Sequence, residues 1–356
     1  MDTVILVLIV VLRVGVPLAI PRFPIPAILA ALVIDAADQT VLALFDAEPA
    51  NYQGYDKALD IYYLAIAYLS TIRNWPSRAA FATAQFLWYY RLVGVVAFEF
   101  SGVRALLLIF PNTFEYFFIA YEAIRLRWDP ARLPNRAIYG LAAGIWLGIK
   151  LPQEYWIHVA QLDFTDALSN PVFTTLIVVG LVALALVVWW LSRRAPATDW
   201  ATSFDVDAHP TTVPFRAAEP LHRRFRLVEH PLVEKTILTG LTVAVFSQFF
   251  EVEATVTEIT LACGFIVVVS AWFGGLLRRR DISWGNSLLQ FLGLLTVNWG
   301  ILIVYIYAVP SAREDGELQV TPTFVMLGLL TLIVILYDRY QAIRSANMAP
   351  ADPQRP

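Results

Sequence analysis

Asp35 and Asp38 stand inside the apolar run FPIPAILAALVIDAADQTVLALF, residues 23–45, three positions apart and so on one face of any helix the run forms. Two carboxylates one turn apart cannot both remain ionised cheaply unless a cation or a hydrogen-bond donor sits between them. The chemistry open to such a pair is to share a proton, hold an alkali cation, pair with an arginine, or grip a basic substrate group. Three more ionisable residues interrupt apolar runs: Arg13 in TVILVLIVVLRVGVPLAI, Arg91, and Glu115 in RALLLIFPNTFEYFFIAYEAIRL. Lys150 and Glu154, in IKLPQEYWIH, are spaced i, i+4, but Pro152 between them makes ordinary helical pairing unreliable. Lys150 is expected to snorkel outward, with guarding of an external vestibule as the other reading.

The elements that must carry these residues follow from composition. Of 356 residues, 58% are hydrophobic and only 15% charged, more apolar content than one soluble core of this size needs. It is gathered in blocks of membrane-spanning length, not in short alternations. The chain therefore reads as an all-α polytopic integral membrane protein with about eleven transmembrane helices, near 3–20, 23–45, 57–73, 79–99, 103–124, 137–155, 171–192, 231–250, 257–276, 287–308 and 322–338. Pro111 cannot donate a backbone hydrogen bond, so the fifth helix is expected to kink and leave a carbonyl free one turn earlier. Basic residues cluster at Arg22, Arg73/Arg78, 125–136, 193–230, Arg278–Arg280 and the C-terminus. Acidic connections follow the second, sixth, eighth and tenth helices. The positive-inside rule then predicts an N-terminus outside and a C-terminus in the cytoplasm.

This orientation fixes depth. A helix rises about 1.5 Å per residue through a hydrocarbon core about 30 Å thick, which sets Asp35 roughly 18 Å from the inner edge. Arg13, Arg91 and Glu115 converge on the same level. An ionised side chain there costs at least about 2.5–3.5 kcal/mol, so all must face the bundle interior. Arg91 and Glu115 are the expected pair, because the two-residue connection Ser101–Gly102 makes their helices antiparallel neighbours. The helices after residue 170 carry no ionised residue at mid-depth; Gln290 and Asn298 are their main polar positions.

Four segments result: a seven-helix charge-rich membrane unit, 1–192; a Pro-rich cytoplasmic linker with a short surface helix, 193–230; a four-helix membrane unit, 231–344; and a flexible C-terminal tail, 345–356. His209, His222 and His230 in the linker match no compact zinc arrangement, and Arg223, Arg224 and Arg226 fit anionic lipid better than nucleic acid. Cys263 is the single cysteine, which excludes an internal disulfide and a cysteine-based metal cluster. H-E-x-x-H, G-x-S-x-G and Walker patterns are absent, so no catalytic residue, cofactor or metal is assigned.

The expected function is a multi-pass transporter of the cell membrane, of prokaryotic plasma-membrane type, coupled to protons or cations. Its ligand-binding set is Arg13, Asp35, Asp38, Arg91, Glu115, Lys150 and Glu154. The alternatives are a noncatalytic subunit or scaffold of a membrane complex, or an integral membrane enzyme acting on a lipid substrate. Expected partners are the lipid bilayer, a proton, cation or lipid-like substrate, and a homo-oligomer or membrane-complex partner, with no nucleic acid.

Overall fold

The computed structural model describes residues 2–45, 52–155, 171–208, 231–249, 264–269, 272, 284–308 and 320–348, and among them every regular element is helical. Helix α1 spans Asp2–Gly15 and runs through a 3-10 turn, Val16–Ala19, toward α2, Pro24–Leu44. Next come α3, Tyr52–Asn74, and α4, Arg78–Ser101. Ser77 caps α4, its Oγ accepting from the Ala80 N–H at 3.3 Å. Gly102 ends α4 at φ 68°, its N–H bonding the Phe98 carbonyl at 2.7 Å, the left-handed stop that glycine permits.

Helices α5, Ala105–Ile109, and α6, Thr113–Arg125, are two pieces of one predicted span, broken at Pro111. Helix α7, Asn135–Ile145, passes through a π turn, Trp146–Lys150, into α8, Leu151–Glu154. Four longer helices complete the described chain: α9, Pro171–Arg194; α10, Pro231–Phe249; α11, Trp284–Ala308; and α12, Val320–Met348.

Helix α3 is the axis of the molecule. Its residues from Ala58 through Ile72 are buried on nearly every side, because α1, α2, α4, α6, α10 and α12 all pack around it. A helix apolar around its whole circumference is stable only in such a place. Residues of α2, α3, α4, α6, α7, α10 and α12 share one core, so helices from both predicted membrane units meet in a single packed interior.

Where the sequence predicts about eleven membrane-length apolar spans, two described helical segments meet that standard, Pro24–Leu44 and Thr323–Ser345. Val4–Ala19, Val178–Val187 and Leu288–Gly300 are shorter apolar stretches. Helices α3 and α4 are long enough, at 23 and 24 residues, but carry Asp56, Lys57, Asp60, Arg73, Arg78, Arg91 and Glu99. The break at Pro111 shortens the fifth predicted span. The linker histidines, Arg223, Arg224, Arg226, residues 349–356, most of the predicted helix at 257–276 and most of the acidic connections lie outside the described residues.

The described part of the 193–230 segment is a strap held against the turns between earlier helices. Trp128 Nε1 donates to the Pro196 carbonyl and Trp200 Nε1 to the Arg125 carbonyl, both at 3.1 Å. Asp199 accepts from the Asp129 N–H and from Arg132 Nη1, each at 2.8 Å, while Arg22 meets Asp205 at 3.2 Å and Arg73 meets Asp207 at 2.9 Å. The Asp207 N–H and then Arg22 hold the Asp205 carboxyl below the ordinary carboxylate value of 3.8. A depressed folded-state pKa stabilises above the unfolded pKa and is lost as pH falls through the folded one. Acidification below 3.8 is therefore expected to lower the protection of amides 203–208, measured as exchange relative to the unstructured-peptide rate at the same pH, and Asp205→Asn should lower it at neutral pH. Equal exchange in the variant and the unchanged protein at neutral pH would refute this clasp.

Candidate functional site

Arg13, near the end of α1, reaches between α2 and α3, and its side chain is 3% exposed. Helix α2 supplies Asp35 and Asp38, spaced i, i+3; helix α3 supplies Asp56 and Asp60, spaced i, i+4. Nη1 of Arg13 donates to Asp38 and, at 2.7 Å, to Asp56; Nη2 donates to Asp35 and, at 2.7 Å, to Asp60. Each terminal nitrogen thus bridges one carboxylate of α2 and one of α3. Asp38 also accepts from the Tyr52 hydroxyl at 2.6 Å and is enclosed, whereas Asp35 and Asp60 keep 28% and 40% of their side chains accessible.

One guanidinium cannot neutralise four carboxylates. In a low-dielectric interior the excess negative charge is untenable unless protons or a mobile cation offset it. Oxygens of Asp35, Asp56 and Asp60 lie within 4.8 Å of one another, close enough to ligate an ion, but all three already accept from Arg13. A cation would have to share them with the guanidinium.

Asp35 and Asp60 open on a cavity of about 360 Å³. Its charged wall residues also include Arg91, Glu115 and Lys150, together with Lys57 and Glu99. The break in the fifth predicted span shapes one wall. The Thr113 N–H turns to the Pro111 carbonyl at 2.8 Å, leaving earlier carbonyls without helical donors. The Ile109 carbonyl accepts from the Tyr90 hydroxyl at 2.9 Å, and the Phe110 carbonyl accepts from Arg91 Nη1 at 3.0 Å. Gly94, one turn after Arg91, makes the approach possible, since a Cβ there would lie 2.1 Å from the Phe110 Cβ.

Arg91 and Glu115 therefore share a cavity but are not the direct pair the depth reading predicts. Arg91 is drawn to the carbonyl freed at the break, and Glu115 accepts from Asn112 Nδ2 at 2.7 Å. Lys150 departs from expectation more sharply. It does not snorkel outward: it is 4% exposed, because the π turn rotates it inward. Its Nζ donates to Gln153 Oε1 at 3.0 Å and lies 4.2 Å from the centre of the Tyr116 ring. Glu154 is buried 3.9 Å from Lys150, so the i, i+4 pair forms despite Pro152, and it accepts from the Asn112 N–H at 3.3 Å.

All seven predicted ligand-binding residues thus gather in two adjoining groups linked by Asp35. Three participants escaped the sequence reading: Asp56, Asp60 and Tyr52. The i, i+4 spacing of Asp56 and Asp60 was the available signal, but Asp56 read as the end of an acidic connection and Asp60 stands in the first turn of the predicted helix 57–73.

A second buried polar centre lies in the later helices, at the start of α10. Glu234, in the first turn of α10, accepts from the Tyr68 hydroxyl, from Gln85 Nε2 at 2.9 Å, from the Tyr337 hydroxyl at 3.0 Å and from Gln341 Nε2 at 3.2 Å. Its donors come from α3, α4 and α12. Beside it Lys235 pairs with Asp338 at 2.6 Å. The chain matches no protein-family model, no curated protein and no solved structure, so the chemistry of these sites stands on their own geometry.

Proposed function

We propose that this chain is a multi-pass helical transporter of a cell membrane, oriented N-out and C-in, in which the Arg13–aspartate cluster couples solute movement to protons or cations. The observation that carries the reading is the charged cavity reaching Asp35 and Asp60. A structural ion network is dry and fully paired; here three of the four carboxylates stay accessible while one guanidinium serves them all. Exchangeable protons or cations at that point would make the cluster's charge, and hence its grip between α2 and α3, depend on occupancy.

The polarity of the helices supports a membrane setting. On α1, Val4, Val7, Leu8 and Val11 form an exposed apolar stripe at i, i+3, i+4, i+7, while Arg13 points inward. Exposed Val178, Val179, Val182, Leu186 and Val187 extend along α9. Apolar faces outside and charges inside are the arrangement that hydrocarbon as solvent requires. Of the charges that keep α3 and α4 below a simple hydropathy threshold, Lys57, Asp60, Arg91 and Glu99 line the cavity. The α5–α6 break also has the form of a discontinuous transporter helix, with freed carbonyls and a helix start at a polar cavity.

The Glu234 centre favours a scaffold reading for its own region, because four donors satisfy it. The cavity has no such explanation.

The decisive test places a cysteine at Leu32, half-buried on the cavity wall one turn from Asp35, in a Cys263→Ala background. Alternating access predicts labelling of Leu32→Cys by a membrane-impermeant maleimide from either face of sealed vesicles. Coupling predicts that pH shifts the ratio of the two rates, and that Asp60→Asn abolishes the shift. Labelling confined to one face under every condition would end the transport reading.

A further inference from the structure

Two of the three cations on the cavity wall are already balanced. Lys57 lies 3.5 Å from Glu99, and Lys150 lies 3.9 Å from Glu154. Arg91 differs: Nη1 donates to the Phe110 carbonyl, and among the described residues no carboxylate lies within ion-pair distance of it. A guanidinium fork with spare donors on a cavity wall is suited to receive two oxygens of one anionic group. Asp35 and Asp60 supply the opposite need. They line the same cavity, keep 28% and 40% of their side chains accessible, and share one guanidinium with two further carboxylates. Carboxylates in excess of their cation call for a cationic N–H group.

We infer that the cavity binds a small zwitterion of the amino-acid kind, its carboxylate on Arg91 and its ammonium group between Asp35 and Asp60. This assignment rests on the cavity being the solute site of the transport reading. Arg91 offers one fork, which matches one carboxylate. A phosphate dianion would meet the four wall carboxylates with nothing to offset its second charge. At about 360 Å³, where one water needs roughly 10–15 Å³, the space accommodates a free amino acid.

The test measures binding to the purified full-length protein by calorimetry. Glycine, L-alanine, L-leucine and L-glutamine are compared with single-charge counterparts, propionate and ethylamine serving as the pair for L-alanine. At least one zwitterion is expected to bind about tenfold or more tightly than both of its single-charge counterparts. Arg91→Lys, which keeps the charge and the bond to Phe110 but loses the fork, should weaken it about tenfold.

The comparison on the unsubstituted protein decides the matter even where Arg91→Lys fails to fold. Counterparts that bind as well as the zwitterions, or no binding by any of the four amino acids at about 10 mM, overturn the inference. Two-sided labelling of Leu32→Cys without zwitterion binding would remove the substrate class and leave transport standing. Zwitterion binding with one-sided labelling would do the reverse.

Discussion

Arg13→Met is expected to prevent recovery of a folded, monodisperse protein, or to lower its stability by at least about 3–5 kcal/mol, the usual cost of removing one partner from a buried ion pair. The effect should lie at the upper end, because four carboxylates lose their shared donor at once. Against a typical total of about 5–15 kcal/mol, that is a large fraction. Arg13→Lys should recover only part of the loss, since an ammonium is a point donor and cannot set two nitrogens between α2 and α3. The double variant Arg13→Met with Asp38→Asn should be more stable than Arg13→Met alone, because Asp38 is the most enclosed carboxylate. Fluorescence-detected size exclusion and the midpoint of thermal unfolding read all three. A wild-type midpoint for Arg13→Met would mean that the cluster is not organised by its guanidinium.

Glu234→Ala is expected to be the next most damaging change. It removes the acceptor shared by Tyr68, Gln85, Tyr337 and Gln341; Tyr337 keeps the Pro231 carbonyl and the two glutamines keep tyrosine hydroxyls, but the buried Tyr68 hydroxyl loses its acceptor, and a buried polar group left without a partner costs about 1–3 kcal/mol. The four lost hydrogen bonds will not add fully, since these groups belong to one network; a drop of about 3 kcal/mol is expected. Glu234→Gln should fall between, because it keeps the shape but turns one acceptor into a donor facing other donors. The damage should be localised: α10 and α12 should loosen from α3 and α4, seen as faster hydrogen exchange at 231–245 and 330–341, with α1 and α2 unaffected. Uniform change along the chain, or none, would show that Glu234 does not tie these helices together. The Tyr337 hydroxyl also donates to the Pro231 carbonyl at 2.9 Å, so its loss would loosen the start of α10 as well.

Much of the first site was legible in the sequence because depth along a helix is arithmetic. A fixed rise per residue brings Arg13, Asp35, Arg91 and Glu115 to one level, and the i, i+3 spacing sets Asp35 and Asp38 on one face. Pro111 announced the break that frees the Ile109 and Phe110 carbonyls. Asp56 and Asp60 were missed for a local reason: they occupy the polar entry of α3, where hydropathy runs out and a helix start resembles a connection. Glu234 was missed in the same way, one residue before Lys235 at the entry of α10. In both cases a carboxylate at a helix end is buried by neighbours far away in the chain.

Sequence alone determined the helical class, the positions of the described helices and the break at Pro111, since these depend on local backbone geometry and on the length of apolar runs. Tertiary structure decided which faces meet. Rotation of each helix about its axis is set by packing against distant partners, and no periodicity in one segment encodes it. That rotation gave Arg13 four aspartates, turned Arg91 to a freed carbonyl instead of Glu115, and buried Lys150. It also placed the tyrosine and glutamine donors of three helices around Glu234.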